Sequence, residues 1–193
     1  MIPMKLPHSP APINGQKLCE HADQFFGWCH LGHNGCVLLA IYNALVLCGI
    51  PVPLGRIHRL LHRPWRPRFF GVRVHEIRRC LKKLKVPYTE ARSVTELEAQ
   101  LQPGDVAIIM RWNRTLPFCH FTLGQEPLSV TRYPDPFGGA HGVAVQYEAP
   151  GRWIVYNRYS NRQKAYVFPT FMDYMLFDAA FMAGFILKKS LTT

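Results

Sequence analysis

The chain has 193 residues, of which 48% are hydrophobic, and its 23 Lys and Arg against 12 Asp and Glu give a formal net charge of +11. This length suits one domain with a substantial core, which excludes a disordered chain and a small domain that needs disulfide bonds to fold. No run reaches the roughly 18 apolar residues of a membrane span. The positive charge favours an anionic partner such as nucleic acid, a membrane surface or a cell-wall polymer.

Residues 1–30 are predicted to form an N-terminal extension that packs on, or precedes, a single domain at residues 31–189. Prolines at positions 3, 7, 10 and 12 interrupt it, so it lacks the continuous apolar centre of a signal peptide. We therefore expect a cytoplasmic protein, or one exported without a cleavable signal. Whether this segment is a removable pro-segment stays open, as does the oligomeric state. The six cysteines are expected to be free thiols.

Helices are predicted in the first half of the chain. The segment CVLLAIYNALVLCG is apolar on nearly every face and ends at Gly49, which indicates a central buried helix. A short helix should follow Pro53, and VRVHEIRRCLKKLK has its apolar residues at helical spacing. Ser93 and Glu96 form a capping box that opens SVTELEAQL.

Strands are predicted after residue 104. DVAIIMRW, HFTLG, HGVAVQY and RWIVYN are short, rich in β-branched and aromatic residues, and separated by turn residues. A last helix from Thr170 and the strand AFMAGFILKK close the chain. Helices followed by an antiparallel sheet predict an α+β fold.

Cys36 begins the predicted buried helix, directly after Asn34 and Gly35. Unpaired backbone N–H groups and the positive end of the helix dipole favour a thiolate at this position. The turn before it lets the backbone approach a substrate carbonyl, so that the Cys36 amide can help to hold an oxyanion. The position of Cys36 at the start of the helix therefore predicts that its thiol is a nucleophile.

His141 opens one predicted strand, and Asn157 ends the next one sixteen residues later. If the two strands form a hairpin around the turn near residue 150, these ends lie side by side. The amide oxygen of Asn157 would then accept a hydrogen bond from one ring nitrogen of His141 and direct the other nitrogen at Cys36.

The segments NGCVLLAIYNAL, GAHGVAVQY and WIVYNRYSN resemble the papain-like cysteine peptidases, nearest the bacterial branch that contains the double-glycine leader peptidases of bacteriocins. The resemblance spans residues 34–189. It implies a papain-like fold with Cys36 as the nucleophile, His141 as general base and acid, and Asn157 as the residue that orients the imidazole. It also implies that no cofactor and no metal is needed, and that the substrate is a peptide or protein.

The chain departs from that family at three points. The family commonly has a glutamine about six residues before the nucleophile, where this chain has His30. His30 itself, Gln24 and Asn34 are the candidates for the oxyanion hole. Many leader peptidases have glycine directly after the cysteine, where this chain has Val37. They are also often fused to a membrane transporter, for which this sequence has no segment.

Two alternatives concern the site itself. His120 with Asp135, fifteen residues later, is the alternative base and orienting residue, whereas the choice of His141 makes residues 114–139 an insertion that shapes the cleft. In CHLGHNGC, the residue types at Cys29, His30, His33 and Cys36 are also those of a zinc site.

Two alternatives concern the function. The same thiol chemistry serves an amidase, a deamidase or an acyl transferase of cell-wall or toxin type. Between Arg56 and Lys85, eleven basic residues accompany one acidic residue, with Trp65, Phe69 and Phe70 interleaved. Such a face can bind nucleic acid or another polyanion in a non-catalytic module, or it can be the solvent side of an amphipathic helix.

Overall fold

The computed structural model describes residues 11–67, 71–112, 115–120, 129–134, 139–176 and 180–188, the segments 115–120 and 129–134 as backbone only. The described residues form six helices and ten strands. The helices are α1 (Leu31–Asn34), α2 (Cys36–Leu47), α3 (Leu54–Leu61), α4 (Val74–Leu84), α5 (Val94–Gln100) and α6 (Phe171–Leu176). The strands are β1 (Phe25–Phe26), β2 (Cys29–His30), β3 (Thr89–Ala91), β4 (Val106–Trp112), β5 (Thr115–His120), β6 (Ser129–Pro134), β7 (Ala140–Ala149), β8 (Arg152–Tyr156), β9 (Tyr166–Phe168) and β10 (Ala180–Leu187). The predicted α+β class is confirmed.

Helix α2 is the central buried helix that the sequence predicts. Its residues from Cys36 to Leu45 are all buried. The helix ends in a Schellman motif, in which Gly49 has a φ of 73° and the N–H of Ile50 donates to the carbonyl of Leu45 at 2.8 Å. This left-handed position explains the glycine at the end of the apolar run.

A six-stranded antiparallel sheet with the order β3-β10-β4-β7-β8-β9 forms the middle layer. Successive side chains of β4 point to opposite faces. Ile108 and Met110 join the core around α2, whereas Ala107 and Ile109 join a second core with residues of α5, α6 and β8. The sheet is therefore covered by α2 on one side and by α5 and α6 on the other.

Strands β7 and β8 form the predicted hairpin, with Ala149 opposite Arg152. Strand β7 also pairs with β4, where His141 lies opposite Arg111 and Ala140 opposite Trp112. Two neighbouring strands of the sheet are thus separated in sequence by residues 113–139. The hairpin of β5 and β6 belongs to this insertion, and the predicted strand HFTLG lies outside the described residues from position 121 onward.

Residues 11–30 pack on the domain. Phe26 is fully buried in the core around α2. The Ile13 N–H donates to Oδ1 of Asn43 on α2 at 2.7 Å, and Gln16 is 2% exposed. This part of the N-terminal segment therefore contributes to the domain core.

In the part of the chain that the structure describes, no helix has the length and apolar character needed to cross a membrane.

Candidate active site

Cys36 lies in the first turn of α2 and is 7% exposed. Burial is the largest influence on its thiol and raises its pKa. The backbone N–H groups of Gly142, Val37 and Cys36 itself act in the opposite direction, as does the positive charge of Arg111. The helix start therefore supplies amide donors to the sulfur, while the low-dielectric surroundings keep the thiol protonated until a base removes the proton.

Gly142 lets the first residues of α2 approach the sheet closely. A Cβ atom at this position would lie 2.8 Å from Cγ2 and 2.9 Å from Cα of Val37. Here a valine follows the cysteine, and a glycine on the facing strand provides the space for it.

His141 is 8% exposed at the start of β7. Its Nε2–H donates to the backbone carbonyl of Asn157 at 2.8 Å. Because a carbonyl oxygen only accepts, this bond fixes the tautomer and leaves Nδ1 as the basic nitrogen. Burial, together with the charge of Arg111, lowers the pKa of His141 from 6.5 to about 4, so the ring is neutral at pH 7.

The structure corrects the predicted role of the Asn157 side chain. Its backbone carbonyl, not its amide oxygen, accepts from His141. Oδ1 of Asn157 accepts from the Gln16 N–H at 3.1 Å, and Nδ2 donates to Oε1 of Gln16 at 3.4 Å. The φ of Asn157 is 57°, a left-handed conformation that asparagine adopts more readily than most residues, and it turns the carbonyl toward the ring.

Cys36 and His141 line the same cavity, which has a volume of about 380 Å³. Gln16, Arg111, Arg158 and Tyr159 also line it. His141 is not among the groups that hydrogen-bond the sulfur. The contact that a proton transfer requires commonly tightens when a substrate binds.

The three candidate oxyanion residues, His30, Gln24 and Asn34, are not among the residues that line this cavity. Nδ1–H of His30 donates to the Asp23 carbonyl at 2.8 Å, and Nε2 of Gln24 lies 3.5 Å from Nδ1 of His21. Asn34 is buried, and its Nδ2 has no partner.

Gln16 also lines the cavity, and the sequence analysis did not identify it. Its Nε2 donates to the Gly32 carbonyl at 3.0 Å, and its side-chain oxygen and backbone N–H hold Asn157. It lies twenty residues before Cys36 in the Pro-rich N-terminal segment, so the spacing of the family motif gives no signal for it.

The alternative pair falls in the insertion. His120 ends β5 opposite Ser129, five residues beyond Thr115, whose partner is Pro134. This register places His120 at the opposite end of the hairpin from the chain segments that connect it to β4 and β7. Asp135 and the side chain of His120 lie outside the described residues.

The four candidate zinc ligands of CHLGHNGC, which are Cys29, His30, His33 and Cys36, do not face a common point. His33 and Cys36 line the cavity, whereas the ring of His30 binds the Asp23 carbonyl and Cys29 is buried on β2. Among all the described residues, no group of three or more His, Cys, Asp and Glu side chains can hold a metal ion. The five cysteines outside the insertion are free thiols.

The basic segment at residues 56–85 is partly internal. Arg66 is 4% exposed and forms a bidentate ion pair with Glu76, at 2.7 and 3.0 Å. Arg78 binds Glu90 at 2.7 Å on the surface. Trp65, next to Arg66, is 67% exposed. Two of the arginines in this segment thus form ion pairs within the fold.

Comparison with models of protein families, with curated protein sequences and with solved structures gives no match to this chain.

Proposed function

We propose that the protein is a papain-like cysteine hydrolase that cleaves a peptide or amide bond through a thioester on Cys36. One observation carries the proposal. A thiol at a helix start and a histidine whose tautomer leaves Nδ1 basic line one cavity. Nδ1 of His141 takes the thiol proton as the sulfur attacks the carbonyl carbon, and the imidazolium later returns a proton to the leaving amine. Water then hydrolyses the thioester.

Backbone amides provide the stabilisation of the tetrahedral intermediate. The N–H groups of Cys36 and Val37 come from the first turn of α2, where the helix gives them no partner of their own. Both already act on the sulfur, so a carbonyl oxygen bound beside it lies within their reach. If an amine instead of water attacks the thioester, the same site acts as an acyl transferase. If the substrate is a side-chain amide, it acts as a deamidase.

Iodoacetamide labelling followed by mass spectrometry tests the proposal. Cys19 is half-buried and Cys36 is buried, so reactivity governed by exposure alone would favour Cys19. We expect Cys36 to react faster than Cys19 near neutral pH. We also expect His141→Gln to remove that difference, because glutamine can replace the bond to the Asn157 carbonyl but cannot accept the thiol proton. Labelling that follows exposure in both proteins contradicts the proposal.

A second candidate function is binding of a polyanion through residues 56–85. The exposed Trp65 and Trp28, which are 67% and 68% exposed, favour it because aromatic rings beside basic residues stack with nucleic-acid bases. The backbone N–H of Trp28 donates to the Arg66 carbonyl, so Trp28 lies next to the segment that carries Trp65. Binding of single-stranded RNA that falls steeply with salt and is unchanged in Cys36→Ala would support this function. No binding at low salt would reject it.

A further inference from the structure

Two arginines line the cavity beside Cys36 without a carboxylate partner among the described residues. Arg111 is 5% exposed, and its Nε has no hydrogen-bond partner. Among the described residues, its Nη2 makes a single long bond, of 3.5 Å, to the carbonyl of Arg158. The Nε of Arg158 is also buried without a partner. A buried guanidinium is ordinarily paired, because removing the charge from water is costly.

The same aromatic ring supports both guanidinium groups. The Cζ atoms of Arg111 and Arg158 lie 5.0 and 5.6 Å from the centroid of the Tyr174 ring. Phe168 also contacts Arg158, at 4.6 Å. Stacking fixes the planes of the two groups but leaves their N–H edges for another partner. Two like charges held over one ring therefore form a rigid site with unused donors.

The strand register places this site beside His141. Arg111 lies opposite His141 in the β4–β7 ladder, and residues opposite each other project from the same face of the sheet. Arg158 follows Asn157, whose carbonyl holds the His141 ring. Both arginines and the nucleophile line one cavity.

We propose that the Arg111 and Arg158 side of the cavity binds an anionic oxygen group of the substrate, a carboxylate or a phosphate, next to the bond that Cys36 attacks. This inference rests on the proposed function and deepens it, because it names the substrate class as an acidic acyl compound. A planar guanidinium binds two oxygens of such a group at once, and two guanidinium groups provide donors for all of them.

Alkylation with a matched pair of reagents tests this inference. Iodoacetate and iodoacetamide undergo the same reaction, in which the Cys36 sulfur forms a bond to carbon and iodide leaves, but only iodoacetate carries a carboxylate. Relative to N-acetylcysteinamide, we expect the rate ratio of iodoacetate to iodoacetamide at Cys36 to rise about tenfold. Arg158→Gln and Arg111→Lys should both reduce the ratio, whereas Lys82→Gln on the exposed side of α4 should not.

Equilibrium binding to Cys36→Ala gives a second readout that needs no reactive thiol. At constant ionic strength, calorimetric titration with glutarate, inorganic phosphate and neutral glutaramide separates a carboxylate source from a phosphate source. Saturable binding of one anion that weakens at least fivefold in Arg158→Gln supports the inference. The inference is overturned if Cys36→Ala binds none of the anions, or if Cys36→Ala with and without Arg158→Gln bind them equally well.

The two experiments separate failure of the inference from failure of the proposed function. Selective labelling of Cys36 by iodoacetamide without any preference for iodoacetate overturns the anion site and leaves the hydrolase proposal standing. If Cys36 reacts with neither reagent, the hydrolase proposal fails, and the titration of Cys36→Ala alone decides whether the arginines bind an anion.

Discussion

Acidification is expected to destabilise the fold through His141. The pKa of this ring is about 4 in the folded protein, against 6.5 for an ordinary histidine, because the ring is buried and lies near Arg111. The unfolded chain therefore binds the proton more readily. The stability that depends on neutral His141 is fully present above pH 6.5 and is lost as pH falls from there toward 4. A pKa difference of about 2.5 corresponds to about 3 kcal/mol in total.

Urea denaturation at pH 7 and pH 5 measures this effect. With those two pKa values, about 2 kcal/mol of the free energy of unfolding should be lost through His141 over this interval. Other groups also titrate, so the useful quantity is the difference between the wild-type protein and His141→Gln. The loss of stability in the variant should be smaller by about 2 kcal/mol. His33→Gln, at an exposed position, should lose as much as the wild-type protein.

Equal losses in the wild-type protein and in His141→Gln would refute the reasoning. They would mean that His141 is protonated as easily in the folded as in the unfolded chain, which is incompatible with a buried neutral ring. The assignment of Nδ1 as the base of the reaction would then lose its support.

Two further predictions concern packing and a buried charge. Gly142→Ala should lower the free energy of unfolding by about 1–3 kcal/mol, because the new methyl group meets Val37. Gly71→Ala, where no described residue comes within 4 Å of the added Cβ, should change it far less in the same urea titration. Glu76→Gln should lower it by about 3–5 kcal/mol, because it leaves the Arg66 charge buried without its counterion, and a loss below 1 kcal/mol would contradict this burial.

The long elements were predictable from the sequence because each has a local cause. Helix α2 is apolar on all faces and ends at a glycine with positive φ, and Ser93 caps α5 by accepting from the Glu96 N–H. Strands β1, β2, β3 and β9 have only two or three residues each. Such segments are too short for periodicity, and their strand conformation depends on partners distant in sequence.

The site was predictable only in part. Chain order and hairpin geometry correctly place His141 beside Asn157, but the φ of 57° that presents a carbonyl instead of an amide has no signature in the sequence. The alternation of strand β4 does indicate a buried position for Arg111. Arg111 follows Ala107 and Ile109 at every second position of an apolar strand, so alternation alone places a charge on a buried face.

The charge of Arg111 acts on both members of the proposed Cys36 and His141 pair. Its charge lowers the pKa of Cys36 and also that of His141. Transfer of the proton from sulfur to Nδ1 depends on the difference between the two pKa values, and a charge that lowers both changes this difference by less than it changes the more strongly shifted value. Burial, in contrast, raises the pKa of Cys36 and lowers the pKa of His141. An anion bound at Arg111 should therefore move both limbs of a pH–rate profile to higher pH, whereas limbs that move in opposite directions would contradict an effect of the Arg111 charge on both groups.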